Sequence, residues 1–309
     1  MWPALHRVFA LTVALTVALV VGAAPVAAQD RWSRPAHAVR YLQRTVHLGG
    51  VDTVVHAAYV DLCDPAVELR ATAPGERGRA VDAWARDVGA VVAVNGDYFA
   101  RGAQRPLGPA RGGGTWWPDG PREHRDALLA MGPGGAVSIF DAPPSGAALW
   151  DDAAERVGPR WTEVVAVRER VLVAGAVRQS PFIVHEPLRH PRTAVGLSAD
   201  AHTLILAVVD GRSENSGGAT TRELGRILAD LGAREGMKLD GGGSSTLFIQ
   251  GLGVVNRPSD GAPRVVANHL GVRLRSDVPP GAPSRCPVGS GLQSPDASHG
   301  RGRSGGVTP

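Results

Sequence analysis

The chain has 309 residues and a formal charge of +4, from 33 Lys and Arg against 29 Asp and Glu. Aromatic residues make up only 5% of the chain, basic residues form no long blocks, and no RNA- or DNA-reading motif occurs. The composition therefore argues against a nucleic-acid-binding protein. It suits mild attraction to phosphate-bearing polymers instead.

Residues 1–28 have the composition of a secretory signal peptide. His6 and Arg7 precede an uncharged apolar run that ends at Val21, and small residues follow up to Ala28. The apolar run is short for a membrane span. We therefore expect cleavage after Ala28, secretion, and no stable membrane insertion of the mature chain. An uncleaved anchor is the alternative.

The first half of the mature chain predicts strands followed by one helix–strand unit. After a polar lead-in over residues 29–40, residues 41–72 have the pattern of three strands. Apolar residues then recur at helical spacing over residues 81–88. A continuous apolar run at residues 90–94 predicts a buried strand that leads directly into Asn95.

The second half contains a similar unit. An apolar strand over residues 203–209 precedes Asp210, and a capping box at Thr220 and Glu223 predicts the start of a helix. The next strand leads into Asp240. This order occurs at residues 81–97 and 223–242, which indicates either an internal duplication or a coincidence of pattern. Between the two units we expect short strands and loops, including strands at residues 128–131, 137–140 and 164–167.

The chain has two cysteines, Cys63 and Cys286. An even number in an oxidising compartment permits one disulfide, which would tie the first strands to the C-terminal tail. Residues 276–309 are rich in Pro, Gly and Ser and poor in large apolar residues. We expect this tail to be disordered apart from any anchoring at Cys286.

Three apolar strands end in similar motifs, AVNGD, VVDG and KLDGGG. A glycine directly after the acid or amide permits a sharp turn at the strand end. If the strands are neighbours, Asn95, Asp97, Asp210 and Asp240 lie at one rim and form a shared site; the alternative is a set of ordinary turns. Their oxygens are of the kind that calcium or magnesium accepts. No single loop has an ion-binding spacing, so the sequence leaves the binding of a divalent cation open and indicates no particular cofactor.

The segment KLDGGGSST is the most unusual part of the chain. Lys238 and Asp240 leave the same face of a strand, and the ammonium is expected to keep the acid ionised. An ordinary surface ion pair is the alternative. The consecutive glycines permit close approach of the backbone to a ligand. Ser244 and Ser245 either start a strand or line the pocket with their hydroxyls.

Five segments resemble the phosphodiester glycosidase family: NGDYF at 95–99, RTAVG at 192–196, and residues 209–233, 239–247 and 255–272. The best-matched part is residues 90–275 within a domain of residues 29–275. Many relatives have asparagine before Leu-Asp where this chain has Lys238, which leaves substrate choice open. The resemblance implies an α+β fold, with mixed sheets, packed helices and two similar halves that frame one pocket. It also implies hydrolysis of a sugar-1-phosphodiester to free sugar and a phosphomonoester.

That reaction assigns roles to the motif residues. Asp240 is the first choice for the carboxylate at the anomeric carbon, as nucleophile or as base for water, and Asp97 is the second. Arg192 offers a guanidinium fork that matches phosphate, and backbone N–H groups stabilise developing negative charge. The expected substrate-binding residues are Asn95, Gly96, Asp210, Lys238, Gly241, Gly242, Gly243, Ser244, Ser245, Arg264 and Asn268.

Two other functions fit the sequence. One is a secreted, non-catalytic binder of phosphorylated cell-wall glycans, which would show saturable binding and release no sugar. The other is a hydrolase of ordinary exopolysaccharide glycosides. That reaction requires a protonated acid, and the basic residues Lys238 and Arg192 argue against one.

Overall fold

The computed structural model describes residues 30–118, 123–142, 149–179, 188–279 and 281–286. Within these ranges every strand pairing is antiparallel. In chain order the strands are β1 (Arg31–Ala36), β2 (Val39–Leu48), β3 (Val51–Asp61), β4 (Val67–Ala71), β5 (Arg79–Ala80), β6 (Val92–Asn95), β7 (Phe99–Ala100), β8 (Arg105–Pro106), β9 (Ala110–Gly112), β10 (Thr115–Trp116), β11 (Ala127–Met131), β12 (Val137–Asp141), β13 (Glu163–Val167), β14 (Glu169–Val173), β15 (Ala176–Val177), β16 (Arg192–Leu197), β17 (Thr203–Val209), β18 (Glu235–Lys238), β19 (Leu247–Ile249), β20 (Gly253–Val254), β21 (Val265–Val266) and β22 (His269–Leu274). The α-helices are α1 (Val81–Val88), α2 (Leu149–Val157) and α3 (Thr221–Asp230).

Three sheets dominate the architecture. The largest has eight strands in the order β1-β2-β3-β17-β16-β18-β14-β15. One five-stranded sheet has the order β20-β19-β6-β22-β4, and the other has the order β10-β9-β13-β11-β12. Two short ribbons, β21-β5 and β7-β8, complete the pairings of the described residues.

The main hydrophobic core lies between these three sheets. It contains apolar side chains from all of them, such as Leu206 on β17, Val94 on β6 and Leu129 on β11. Alternate residues on the same strands point outward, and each outward face is covered by one helix: α3 on the eight-stranded sheet, α1 on the β6 sheet and α2 on the β11 sheet. The helices therefore bury the outer faces of sheets whose inner faces form the common core.

This architecture corrects the expected fold class. The protein is mostly β, with several antiparallel sheets and only three α-helices among its described residues, so the α+β prediction of two similar halves framing one pocket is wrong. The sequence did contain both predicted helix–strand units. Their strands, β6 and β18, belong to different sheets, however, and strand partners that lie far apart in sequence leave no local pattern.

Several local predictions are confirmed. The Thr220 side chain accepts a hydrogen bond from the Glu223 backbone, and the reciprocal bond completes the capping box of α3. The strands expected at residues 128–131, 137–140 and 164–167 are present as β11, β12 and β13. Several elements were not predicted: β1 lies in the expected lead-in, α2 lies in a region expected to hold only strands and loops, and the strands β16 and β22 carried no prediction.

Cys63 and Cys286 form the predicted disulfide. Beside it, the Arg285 backbone N–H donates to the Cys63 carbonyl at 2.8 Å, so residues 281–286 are held against the chain that follows β3. The predicted signal peptide and residues 287–309 of the expected tail lie outside the described residues. Within the described ranges, no helix combines the length and apolar character needed to cross a bilayer.

Candidate active site

Three neighbouring strands bring the predicted residues to one rim of the eight-stranded sheet. Because β16 runs antiparallel to both β17 and β18, Arg192 at its beginning lies near the ends of its neighbours, where Asp210 and Lys238 are found. The β6 sheet meets this rim directly. The Asp240 backbone N–H donates to the Gly96 carbonyl at 3.0 Å, and Asn95 Nδ2 donates to the Asp240 carbonyl at 2.8 Å.

A cleft of about 320 Å³ opens at this rim. Its size is at the lower end of small-ligand pockets. Cationic side chains outnumber acidic ones on its walls, which gives it the electrostatics of an anion-binding site. The lining residues are Tyr98, Arg101, Leu107, Glu123, Arg168, Glu169, His190, Arg192, Arg212, Lys238, Asp240, Gly241, Gly242, Gly243 and Arg264.

Of the two acids predicted to be catalytic, Asp240 lines this cleft and Asp97 does not. Its Oδ2 accepts a hydrogen bond from Ser244 Oγ at 2.6 Å, and its Oδ1 accepts one from the Gly241 N–H at 2.8 Å. Burial raises the pKa of Asp240 to about 6, against the lowering effect of those two bonds, and the charge of Asp97 raises it further. A carboxyl group with this pKa exchanges protons near neutral pH, as a catalytic acid or base requires.

The protein's own atoms surround the three glycines, and an added Cβ at Gly241 would lie 2.8 Å from the Pro191 carbonyl oxygen. Gly242 has φ of +61°, a conformation that favours glycine, and the Arg212 guanidinium packs against it. A side chain at Gly243 would collide with the Arg264–Asp260 ion pair. Two of the three expected N–H donors are used internally, since Gly241 donates to Asp240 Oδ1 and Gly242 to the Pro191 carbonyl at 2.9 Å. At most the Gly243 N–H is left for a substrate.

Arg192 lies on the cleft wall and is held by backbone carbonyls. Its Nε donates to Ala219 at 2.8 Å and its Nη2 to Leu188 at 3.0 Å. No described residue accepts a hydrogen bond from Nη1. Burial lowers the pKa of this guanidinium from its ordinary high value, but an arginine stays cationic at neutral pH. The fixed cation therefore has one nitrogen to offer to an anion in the cleft.

Lys238 does not pair with Asp240 as predicted. Its ammonium donates to Glu169 Oε1 at 2.8 Å, and both side chains are almost fully buried. Glu169 faces Lys238 across the β14–β18 pairing, which explains the choice of partner. Burial lowers the pKa of Lys238, while Glu169 raises it. The proposed ionising effect of Lys238 on Asp240 is therefore wrong, in agreement with the raised pKa of Asp240.

Asp97 lies beneath the cleft and not on its wall. It forms an ion pair with Arg125, 2.7 Å from Oδ2 to Nε, in which both side chains are fully buried. Burial raises the pKa of Asp97, and Arg125 opposes that rise. Asp97 Oδ1 and Arg125 Nη2 have no hydrogen-bond partner among the residues that the structure describes. The structure thus places Asp97 where it acts on Asp240 through charge and does not reach the cleft.

The remaining strand-end groups are held by separate partners. Asp210 accepts from His56 Nε2 at 3.1 Å and from the Arg257 N–H at 2.9 Å. Asn95 Oδ1 accepts from Thr193 Oγ1 at 2.7 Å. Among the described residues, Asp97, Asp210 and Asp240 do not form a cluster of carboxylates close enough to share one ion.

The other expected binding residues support the cleft from behind. The Gly96 N–H donates to the Asn268 carbonyl at 2.8 Å, and the Asn268 side chain packs directly on Gly96. Both polar atoms of that side chain are buried and have no partner in the described part of the chain, and the same holds for the Ser245 hydroxyl. Ser244 contacts the cleft indirectly, because its hydroxyl lies between Asp240 and Arg264 Nη1.

Sequence reasoning missed several cleft residues. Tyr98 belongs to the NGDYF motif, and burial together with the charge of Asp240 raises its pKa. Arg168 directly follows β13 and Glu169 begins β14, so both lie at a strand end, but neither belongs to an acid–glycine motif like the one that marks Asp240. No comparable local signal marks the other missed residues, which are Arg101, Leu107, Glu123, His190 and Arg212.

Comparison with known proteins identifies the family. The model of the phosphodiester glycosidase family matches residues 88–273, more than half of the chain and close to the expected 90–275. The chain belongs to the phosphodiester glycosidase family. The matched range contains Arg192, Asp240 and Arg264, so the cleft is built from the part of the chain that defines the family.

Individual relatives are more distant. A prophage-derived uncharacterized protein of Bacillus subtilis, YomE, is 37% identical over 90 residues, which cover 29% of this chain and 14% of YomE. A hypothetical protein from Synechocystis superposes with a TM-score of 0.63 at 17% identity, covering 80% of this chain and 64% of that one. The pro-peptide-inhibited catalytic domain of zebrafish N-acetylglucosamine-1-phosphodiester α-N-acetylglucosaminidase superposes with a TM-score of 0.62 at 19% identity, covering 80% and 88%. At these identities, the two structural likenesses show a shared fold.

Proposed function

We propose that this family member is a secreted enzyme that hydrolyses a sugar-1-phosphodiester to free sugar and a phosphomonoester. The observation that carries the proposal is one cleft, built from the family's motifs, in which Asp240 and Arg192 lie among an excess of cations. The natural substrate would be a phosphorylated glycan met outside the cell, and the predicted signal peptide is the basis for that location.

The chemistry divides between the acid and the cations. Asp240 supplies the carboxylate at the anomeric carbon, where positive charge develops as the bond between that carbon and the phosphate oxygen breaks. The departing phosphomonoester takes the electron pair of that bond, and Arg192 stabilises its negative charge. Arg212 and Arg264 also line the cleft, and Arg264 is paired with Asp260. Water supplies the hydroxyl of the released sugar.

Two routes use the same carboxylate. As a nucleophile, Asp240 forms a glycosyl–enzyme ester that water then cleaves, and the sugar keeps its anomeric configuration. As a base, Asp240 activates water for direct attack, and the configuration inverts. Proton NMR of the first-formed anomer distinguishes retention from inversion.

The direct test is a panel of sugar-1-phosphodiesters assayed for free reducing sugar. N-acetylglucosamine belongs in the panel because the zebrafish structural neighbour is named for that substrate. Arg192→Ala is expected to lose roughly 100-fold in kcat on the preferred diester. The loss on a nitrophenyl glycoside, whose leaving group needs no cation, should be much smaller. Arg226→Ala, at an exposed arginine on α3, is the matched control.

Hydrolysis of ordinary glycosides is the second candidate, since it requires a protonated acid and burial raises the pKa of Asp240 to about 6. Faster turnover of nitrophenyl glycosides than of every diester would favour it. A non-catalytic binder of phosphorylated cell-wall glycans would bind the panel without releasing sugar. That result would refute both hydrolase proposals.

A further inference from the structure

A second groove adjoins the candidate active-site cleft. It has a volume of about 670 Å³ and lies between two loops, formed by residues 211–217 and 257–261. The cleft itself measures about 320 Å³. Since the groove is the larger of the two cavities, a ligand confined to the cleft would leave most of the available concave surface unused.

Asp210 fixes the shape of this groove. Its Oδ1 accepts from the Arg257 N–H at 2.9 Å and from Asn256 Nδ2 at 3.3 Å, which anchors the second loop. Ser216 Oγ donates to the Asp210 carbonyl at 2.7 Å, which anchors the first. One buried residue therefore positions both walls, so the groove is preformed and does not depend on a ligand to assemble it.

Arg212 joins the groove to the cleft. Its side chain lines both cavities, and its backbone has φ of +59°, which is uncommon for a residue other than glycine. The guanidinium packs on Gly242 of the triple-glycine segment, and Nη2 donates to His190 Nδ1 at 3.1 Å. A cation is therefore held at the boundary between the two cavities.

The far wall of the groove has unused donors. Arg257 is exposed, and its side chain makes no hydrogen bond or ion pair with any described residue. The Ser259 hydroxyl is buried, with no hydrogen-bond partner among the described residues. Glu214 is the single acidic residue among the described residues of the lining. The two arginines of the lining, Arg212 and Arg257, are cationic donors suited to phosphate oxygens.

We propose that this groove is a second anion-binding subsite, which holds a neighbouring phosphodiester of the same substrate while the cleft holds the one that is cleaved. The inference rests on the proposed function. It assigns the substrate to oligomers or polymers with repeated sugar–phosphodiester units, and it gives Arg257 the role of a specificity residue.

The test compares two synthetic substrates made with the sugar that the diester panel identifies: a methyl sugar-1-phosphodiester and a trimer of the same sugar linked by phosphodiesters. The measured quantity is the ratio of kcat/KM for the trimer to kcat/KM for the monomer. Wild-type protein should favour the trimer at least about tenfold, through a lower KM, because electrostatic contacts to added phosphates strengthen binding. Arg257→Gln should reduce the ratio about tenfold, and Arg226→Gln should leave it unchanged.

The outcomes separate this inference from the proposed function. If wild-type protein hydrolyses the monomer but shows a ratio near one, or if Arg257→Gln keeps the wild-type ratio, the second subsite is refuted and the hydrolase proposal stands. If neither compound releases sugar, the proposed function fails and the inference fails with it. The preference of the wild type for the trimer should also weaken as salt is added.

Discussion

Asp210 and Asp240 have the same local signal and different roles. Both follow a largely buried strand of the eight-stranded sheet, both precede glycine, and both lie at the same rim. Asp240 lines the cleft with two hydrogen bonds from its own turn. Asp210 is bound by His56, Asn256 and the Arg257 backbone, and holds two loops together. A strand-end Asp-Gly motif thus fixes where an acid lies, and its long-range partners decide whether the carboxylate is left for chemistry.

The largest expected effect is the loss of activity in Asp240→Asn, which tests the catalytic role that the comparison gives to Asp240. Asp240→Asn should lower kcat on the preferred diester by roughly 10²–10⁴-fold, because the amide neither accepts a proton nor attacks the anomeric carbon. The variant should fold normally, since burial already disfavours the charged form of this residue. The measurement is the steady-state rate together with a circular dichroism melt. A rate near that of the wild type would show that Asp240 is not the catalytic carboxylate.

The third acid near a strand end, Asp97, differs from both Asp210 and Asp240 because it forms a buried ion pair with Arg125. Arg125→Leu should destabilise the protein by about 3–5 kcal/mol, because it leaves the Asp97 charge buried without a partner. Urea unfolding measures the loss. The double variant Arg125→Leu/Asp97→Asn is the control and should recover part of it. A cost below about 1 kcal/mol for Arg125→Leu would mean that the pair is solvated or that Asp97 is neutral.

Asp210→Asn tests the structural role of the first member of the comparison. Its two carboxylate oxygens accept from His56 on one side and from Asn256 and Arg257 on the other. Because asparagine has a single oxygen, one side must lose its acceptor, at a cost of about 1–3 kcal/mol in unfolding free energy. The fall in kcat should be much smaller than for Asp240→Asn. Equal losses of activity at normal stability would place both acids in the chemistry.

The smallest expected effect is on the pH dependence of activity, which tests whether Asp240 is the acid that takes part in the chemistry. With a pKa of about 6, Asp240 should lose its charge on acidification, so kcat/KM should fall about tenfold per pH unit below pH 6. The sign for stability is opposite. A carboxyl group whose folded pKa lies above its unfolded value binds protons more tightly when folded, so this group contributes more stability as the pH falls from 6 to 4.

Ser244→Ala should move the acidic limb of the pH profile, the fall of kcat/KM below pH 6, to higher pH. The reason is that the Ser244 hydroxyl lowers the pKa of Asp240. The exposed Ser33 of β1 gives a matched control, and Ser33→Ala should leave the limb in place. An unchanged limb in Ser244→Ala would mean that another group controls the pH profile.

Only the tertiary structure decided the partners of the charged residues. Lys238 binds Glu169, 69 residues away, and not Asp240, which is two residues away. Asp97 binds Arg125, 28 residues away, and Asp210 binds His56, 154 residues away. These contacts depend on which strands pair and which sheets face each other. They decide which of the strand-end acids stays on the cleft wall: Asp240 does, whereas Asp97 and Asp210 are held by partners elsewhere.

The sequence by itself determined the local features: the helices α1 and α3, the capping box at Thr220, the ends of the strands and the segment that carries Asp240. Each of these depends on residues within a few positions of one another, through periodicity, capping and the freedom of glycine. The sequence alone did not determine the number of sheets or how they stack. A strand buried on both faces has the same continuous apolar pattern in a mostly β protein as in a mixed α and β one, so its long-range pairing is settled only in the folded structure.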